Sequence, residues 1–352
     1  MSKTGSQPNI VSPALAAQSQ MVYGAQTAQV IYVVAKLGIA DLLKEQPKDV
    51  VEIATATGVS AAVLQRIFNF LVSRGLLGDL GDGRFDLTDM GRLLESDRVD
   101  SVHQRALFNA EVLFPLWGEL LHSVTSGESA AERVFGQPLY RHLAQHPETR
   151  ALFDRTMASA ARHRHGPAVA AYDFSQFRTI IDVGGGNGAL VISILQACQG
   201  PRGIVFDLPA AVESAREHIK AAGLSDRCSA IGGDALEGVP AGADAYVLSN
   251  FLIDMDDDRA RAILSRCRAA MADGGTLLLI EWVMPNADEE PDPYRFWDTT
   301  SMDLIMLTIG GSGGGHVRTA GEFQEILKAS GFVLKRILST SAAVRVIEAL
   351  PG

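Results

Sequence analysis

The chain is short of the features that would direct it to a metal, to nucleic acid or into a membrane. Its 352 residues include only three cysteines, Cys198, Cys228 and Cys267. That is an odd number without the close pairing of a zinc site or a disulfide framework, and it predicts buried free thiols. Basic residues are outnumbered, 31 Lys and Arg against 41 Asp and Glu, for a formal net charge of −10. This works against a phosphate-binding surface and so against a nucleic-acid partner. No apolar run approaches the ~18 residues that a membrane helix needs. The opening stretch, MSKTGSQPNIVSPALAAQSQ, lacks a charged start, a long apolar core and a small-residue cleavage site, so the expected compartment is the cytoplasm.

What is present is a 47% apolar sequence long enough for two domains. From Gln18 to Leu43 apolar residues recur at helical spacing, with Gly38 as a helix stop. DVVEIATATGVSAAVLQRIFNFLVSRGLL reads as short helices turned at Gly58 and Ser60, and GDGRFDLTDMG as a two-stranded wing. Together they make a winged helix-turn-helix pattern. Its candidate recognition helix offers only Gln65, Arg66, Asn69 and Arg74 to a duplex. With the acidic net charge, the pattern reads as a helical module that packs against a second subunit. A further helical region follows from Val102 to Tyr172, where Phe108, Phe114, Trp117 and Met157 are candidates for core or for the apolar wall of a ligand pocket. His163 and His165 stand two apart and share no helix face, which argues against a metal pair. The metal expectation is none.

At Arg178 the pattern changes. TIIDVGGGNGALVISIL is an apolar strand, a glycine turn and a helix, the arrangement that brings backbone N–H groups to a ligand at a helix N-terminus. About 20 residues on, GIVFDLP ends a second strand in Asp207, a position from which a carboxylate can hold ribose hydroxyls. A third acid, Asp234, follows in AIGGDAL. Then come AYVLSN, a helix DDRARAILSRCRAAM and a strand TLLLIEWVMP. Alternating strands and helices imply an open, mostly parallel, doubly wound α/β sheet with ligands at the carboxyl ends of its strands.

In combination IDVGGGNG, FDLP, GGD, the acidic stretch NFLIDMDDDRA, MADGGTLLLIEWVMP and MDLIMLTIGG...VRTAGEFQEILKASGF resemble the S-adenosylmethionine-dependent O-methyltransferases of the plant caffeate and bacterial polyketide or phenazine type. The resemblance runs from about Ala25 to the C-terminus. It implies a Rossmann-like methyltransferase domain (173–352), preceded by a winged-helix-like dimerisation domain (1–100) and a helical region (101–172) that forms part of the substrate pocket. It also implies a homodimer through the N-terminal domain, S-adenosylmethionine as cofactor and S-adenosylhomocysteine as product. Carried over by position, Asp182, Gly184, Gly186 and Gly188 line the methionine moiety, Asp207 holds the ribose, Asp234 and Ala235 border the adenine, and Ser249 touches the cofactor.

Relatives of this type usually read N-x-x-His-Asp-Trp-Asp-Asp where this chain has NFLIDMDD, so Ile253 stands at the position of the general base and Met255 at that of the Trp. Asp254 matches the Asp. Glu281 matches a Glu that normally orients the His, and Val317 replaces a second such Glu. The catalytic candidates are therefore Asp254, Glu281 and His316, the last a nearby imidazole in the glycine-rich stretch IGGSGGGHVRT. A general base contributes typically ~10² to 10⁴-fold, whereas in-line alignment supplies about 7 to 11 kcal/mol. Methyl transfer without the His is therefore the expected reaction, to oxygen, nitrogen or carbon. The alternative is a hydroxylase-like or pericyclase-like protein that binds the same cofactor without transferring its methyl group. Phe108, Phe114, Trp117, Met157, Phe251, Ile253, Met302 and Met306, with Asn250 and Asp254 as polar anchors, form the candidate substrate set, which suits a flat aromatic or polyketide-like small molecule.

Overall fold

The computed structural model describes residues 12–286, 289, 292–310 and 315–352. The first eleven residues and residues 311–314 of the glycine-rich stretch lie outside the described residues. The chain forms two compact units, Met1–Phe114 and Pro115–Gly352.

In the first unit, helices Pro13–Val22, Gly24–Lys36 and Ile39–Leu43 lead into a bent pair, Val50–Thr57 and Ala61–Ser73. Asp49 and Glu52 build a reciprocal capping box at the start of that pair. Gly58 ends its first helix in the left-handed conformation, which glycine adopts without a Cβ penalty. The two helices meet at a bend of 117°. Strands β1 (Lys48–Asp49), β2 (Leu77–Asp79) and β3 (Arg84–Leu87) form a small antiparallel sheet in the order β1-β3-β2. Leu64, Phe68 and Leu71 project from one face of the second helix into the core. There Phe68 meets Phe85 of the wing edge-on, with ring centroids 5.0 Å apart. The helix His103–Phe108 and the turn Asn109–Leu113 pack on helix Gly24–Lys36, with Lys36 Nζ 2.7 Å from Glu111 Oε1. Residues 101–114 fall within this unit, with their apolar side packed on helix Gly24–Lys36.

The second unit carries a seven-stranded sheet: β4 (Thr179–Val183), β5 (Arg202–Asp207), β6 (Cys228–Gly232), β7 (Ala245–Ser249), β8 (Thr276–Trp282), β9 (Phe332–Ser339) and β10 (Val344–Pro351). Their order is β6-β5-β4-β7-β8-β10-β9. β4 to β8 run parallel, and β10 enters antiparallel between β8 and β9. All seven residues of β8 are buried, as a central strand covered on both faces requires. The closing hairpin, absent from the sequence reading, has an edge strand with charged residues: Lys335 and Arg336 both reach the buried Glu348 of β10, at 3.0 and 2.5 Å. Such charges protect an exposed edge from further pairing.

The strand order reverses between β4 and β7, which opens a crevice at their carboxyl ends. Helix Pro147–Ala171 packs on helix Ala189–Ala197 and on β10. Helix Pro293–Ile309 is tied to the N-cap of helix Ala130–Phe135 by the Ser129 hydroxyl, which donates to the Thr308 carbonyl at 3.1 Å. No single helix among the described residues is long and apolar enough to cross a membrane.

Candidate functional site

The crevice is built first from contiguous backbone. β4 ends at Val183, and the chain turns through Gly184, Gly186 and Gly188, all with positive φ, into helix Ala189–Ala197. At Gly184 the need is spatial as well: a Cβ would lie 2.4 Å from the Phe251 ring. The turn is fastened to the next strand. Gly184 N–H donates to the Phe206 carbonyl and Gly186 N–H to Asp207 Oδ2, each at 2.8 Å. Asp207 Oδ1 accepts from Leu208 N–H. Asp234, after β6, caps its own turn by accepting from Leu236 N–H at 2.9 Å.

Gly184, Asp207, Asp234 and Ala235 share one cleft of about 270 Å³. Its remaining walls are apolar, with Phe206, Leu208, Leu236, Phe251, Met255 and Ile263 around the acids. A slot with apolar walls and two carboxylates in its lining fits a planar base and a ribose. Sequence reasoning placed the acids but not these walls, since nothing in the spacing of Met255 or Ile263 separates a cleft wall from core.

Asp182 lies just below the turn, 1% exposed. Its carboxyl is pushed up to about 7, by burial and then by the neighbouring charge of Asp207. Its Oδ2 has no hydrogen-bond partner. A buried carboxylate oxygen left unpaired is costly, and a ligand ammonium placed there would remove that cost.

The other side of the crevice is the stretch after β7. Glu281 is also 1% exposed and also pushed up to about 7, by burial. Here both carboxyl partners come from the backbone: Oε1 accepts from Phe251 N–H and Leu252 N–H, each at 2.9 Å. Arg318, itself 1% exposed, donates to the Leu252 and Met255 carbonyls at 2.8 and 2.7 Å and to Asp257 Oδ1. Glu281 and Arg318 thus clamp residues 251–257 from two sides. Ile253 is buried, 6% exposed. Gly315 packs so closely on this turn that a Cβ would sit 2.7 Å from the Ile253 carbonyl oxygen.

The remaining candidates are dispersed. Asp254 accepts from the Tyr140 hydroxyl at 2.8 Å. Ser249 Oγ lies 3.5 Å from Nε2 of His165 on helix Pro147–Ala171. Asn250 has a positive φ of 50° and a buried, unpartnered Oδ1. His316 is partly exposed, with Nε2 3.8 Å from Glu322 Oε1. Phe108 (buried) and Phe114 (36% exposed) belong to the first unit. In the second, Trp117 and Met157 are half-buried, and Met302 and Met306 share helix Pro293–Ile309.

Fold and cleft together define a nucleoside-type cofactor site on a Rossmann-like sheet. The O-methyltransferase domain model matches residues 117–333 and the O-methyltransferase dimerisation domain model residues 19–97. The chain belongs to this O-methyltransferase family and is an S-adenosylmethionine-dependent methyltransferase. Among its relatives, phenazine O-methyltransferase PhzM of Lysobacter antibioticus is 40% identical over 332 residues, spanning 94% of this chain and 95% of the relative. Among solved structures, that of LaPhzM superposes with a TM-score of 0.88 at 39% identity, covering 97% of this chain and 100% of the other. CalO1, a methyltransferase in calicheamicin biosynthesis solved with S-adenosylhomocysteine bound, gives 0.83 at 28% identity over 97% of this chain and 100% of its own.

Proposed function

We propose that this methyltransferase acts on a hydroxyl oxygen of a small, flat aromatic molecule such as a hydroxylated phenazine or polyketide, with no imidazole at the position of the family's base, which Ile253 occupies. The observation that carries the cofactor part is the pairing of an unpartnered Asp182 oxygen with the Asp207-fastened glycine turn. Asp182, Gly184, Gly186 and Gly188 receive the methionine end, Asp207 the ribose, Asp234 and Ala235 the adenine, and Ser249 the region of the sulfur. When bound, the sulfonium supplies an electrophilic methyl group.

The chain's own contribution is placement and exclusion of water. Glu281 works through the backbone: by holding Phe251 N–H and Leu252 N–H it sets the Phe251 ring against Gly184. Asp254, joined to Tyr140, is a polar anchor at the acceptor's edge. Within the second unit, Trp117, Met157, Asn250, Ile253, Met302 and Met306 are the substrate-contacting set. The aromatic acceptor is supported by the relatives' acceptors and by the apolar character of that set. His316 is paired with the surface residue Glu322, and we assign it no chemistry. The dimerisation model over residues 19–97 supports a homodimer, in keeping with exposed Met21, Val22 and Tyr23 at the end of the first helix. A monomer mass by light scattering at micromolar concentration would remove that assignment.

The deciding experiment incubates the protein with methyl-labelled S-adenosylmethionine and a panel of monohydroxyphenazines and reads the products by mass spectrometry. Label on oxygen is the expected result. Label on nitrogen or carbon overturns the choice of acceptor atom, and an unlabelled product overturns methyl transfer to this class.

A further inference from the structure

The register of the sheet places three polar side chains on one face. Asp182 of β4 pairs with Val247 of β7, and Ser249 of β7 pairs with Ile280 of β8. Since side chains alternate along a strand and paired residues of parallel strands point the same way, Asp182, Ser249 and Trp282 share a face at the strands' carboxyl ends. Two consecutive residues of helix Pro147–Ala171 meet this face: Arg164, whose guanidinium lies 5.1 Å from the centroid of the Trp282 ring, and His165, whose Nε2 faces Ser249 Oγ across 3.5 Å. That separation is the outer limit of a hydrogen bond.

His165 is only 9% exposed. A structural histidine so deeply buried has both ring nitrogens engaged as a rule, but here Nδ1 has no partner and Nε2 has only the long approach to Ser249. Beside it, Asn250 Oδ1 is buried without a partner, in a residue held at positive φ. The Asp182 oxygen on the same face is likewise unpartnered. Unsatisfied buried polar atoms of this kind cluster where a ligand completes them, and these sit where the strand order reverses.

We infer that His165 is the proton acceptor of the methyl transfer, supplying from the long helix the imidazole that Ile253 cannot. The inference rests on the proposed transfer to a hydroxyl. The acceptor hydroxyl gives its proton to Nε2 of His165 while its oxygen forms a bond to the methyl carbon. The electron pair of the breaking C–S bond stays on sulfur, leaving a neutral thioether. His165 then holds the positive charge until it returns the proton to solvent. One positive charge is present before the step and one after it, so the buried site gains no net charge.

In the ligand-free protein burial, with Arg164 alongside, lowers the imidazole to about 4. The ring is therefore neutral, and able to accept a proton, throughout the physiological range. Facing it, Ser249 at the end of β7 and Asn250 after it do not titrate, Asp182 of β4 stands on the same sheet face, and helix Ala189–Ala197 has no ionisable side chain. β10 carries Arg345 and Glu348, each already in an ion pair.

The test compares full-length wild type, His165→Gln and His165→Ala with a monohydroxyphenazine as acceptor and saturating methyl-labelled S-adenosylmethionine. Calorimetry of S-adenosylhomocysteine binding reports folding and the cofactor site independently of turnover. Removal of a general base predicts a kcat lower by about 10² or more, with S-adenosylhomocysteine affinity within threefold and partial rescue of His165→Ala by added imidazole. Ring-nitrogen NMR of the ligand-free protein is expected to show His165 neutral at pH 6. Unchanged kcat in both variants overturns the inference while leaving methyl transfer intact. A loss confined to S-adenosylhomocysteine affinity overturns it too, making His165 a cofactor contact. A ring charged at pH 7 also overturns it. If the wild type methylates no hydroxyphenazine, the proposed function fails first and takes this inference with it.

Discussion

Asp182 and Glu281 make an instructive pair. Each is a carboxyl 1% exposed at the carboxyl end of the sheet, and burial pushes each up to about 7. Asp207 is the charged neighbour of the first and Arg318 that of the second, and their hydrogen bonding differs. Glu281 has two backbone N–H groups on one oxygen, whereas Asp182 has an oxygen with nothing on it. Burial and a displaced pKa mark functional and structural acids alike. The unfilled hydrogen-bonding capacity separates them: on the β4 side of the crevice a carboxyl oxygen has no partner, and on the β8 side the carboxyl already organises the chain.

If that distinction holds, replacing the two acids has different consequences. Asp182→Asn should weaken S-adenosylhomocysteine binding by about 30-fold or more, because truncating one partner of a buried charge pair costs about 2 to 5 kcal/mol. Thermal stability should hold or rise, as no intramolecular partner is lost. An affinity within threefold of wild type, measured by calorimetry, would erase the contrast. Glu281→Ala should do the reverse and lower unfolding free energy by about 2 to 4 kcal/mol, since a buried N–H group at Leu252 and a part-buried one at Phe251 lose their acceptor. Glu281→Gln, which keeps a carbonyl oxygen in place, should recover most of that. Denaturant titration of the three proteins checks it, and equal damage from Gln and Ala would mean that the negative charge matters more than the clamp.

A smaller effect concerns pH. In the ligand-free protein Asp182 is raised to about 7, and an ammonium bound beside it favours the carboxylate. Ligand binding must therefore release a proton below that value. Affinity for S-adenosylhomocysteine should fall as pH drops below 7, by up to about tenfold per unit, and level off above it. Asp182→Asn should abolish the slope, and a slope that survives the substitution would assign it elsewhere. The smallest expected effect is at His316: its pairing with Glu322 is solvent-exposed, and such pairs contribute about 0 to 1 kcal/mol. His316→Ala should leave kcat within twofold, and a loss of 100-fold would return the proton to the surface loop and away from His165.

The glycine turn and the strand-end acids of the cleft were legible in the sequence because they are local. A strand, a glycine turn and a helix are contiguous, and the acids Asp207 and Asp234 each stand at a strand end that the apolar pattern already marks. The same holds for the winged module, whose Gly58 turn and Asp49 capping box are short-range devices. The closing hairpin escaped notice because β9 alternates weakly and takes its place by inserting β10 beside β8, an arrangement no local signal encodes.

The acceptor side was read only in part. The sequence reading expected Ile253 at the position of the family's imidazole, and it pointed to the nearest alternative along the chain, His316. Only the tertiary structure joined His165 to Ser249 across 84 positions, gave Glu281 the backbone of Phe251 and Leu252, and set Arg318 beneath the same turn. The sequence by itself determined a doubly wound sheet with a glycine turn and strand-end acids, because hydrophobic period and backbone conformation are properties of neighbouring residues. Which buried polar atoms find partners and which are left for a ligand was decided by packing, because that depends on groups brought together only when the sheet and its covering helices close.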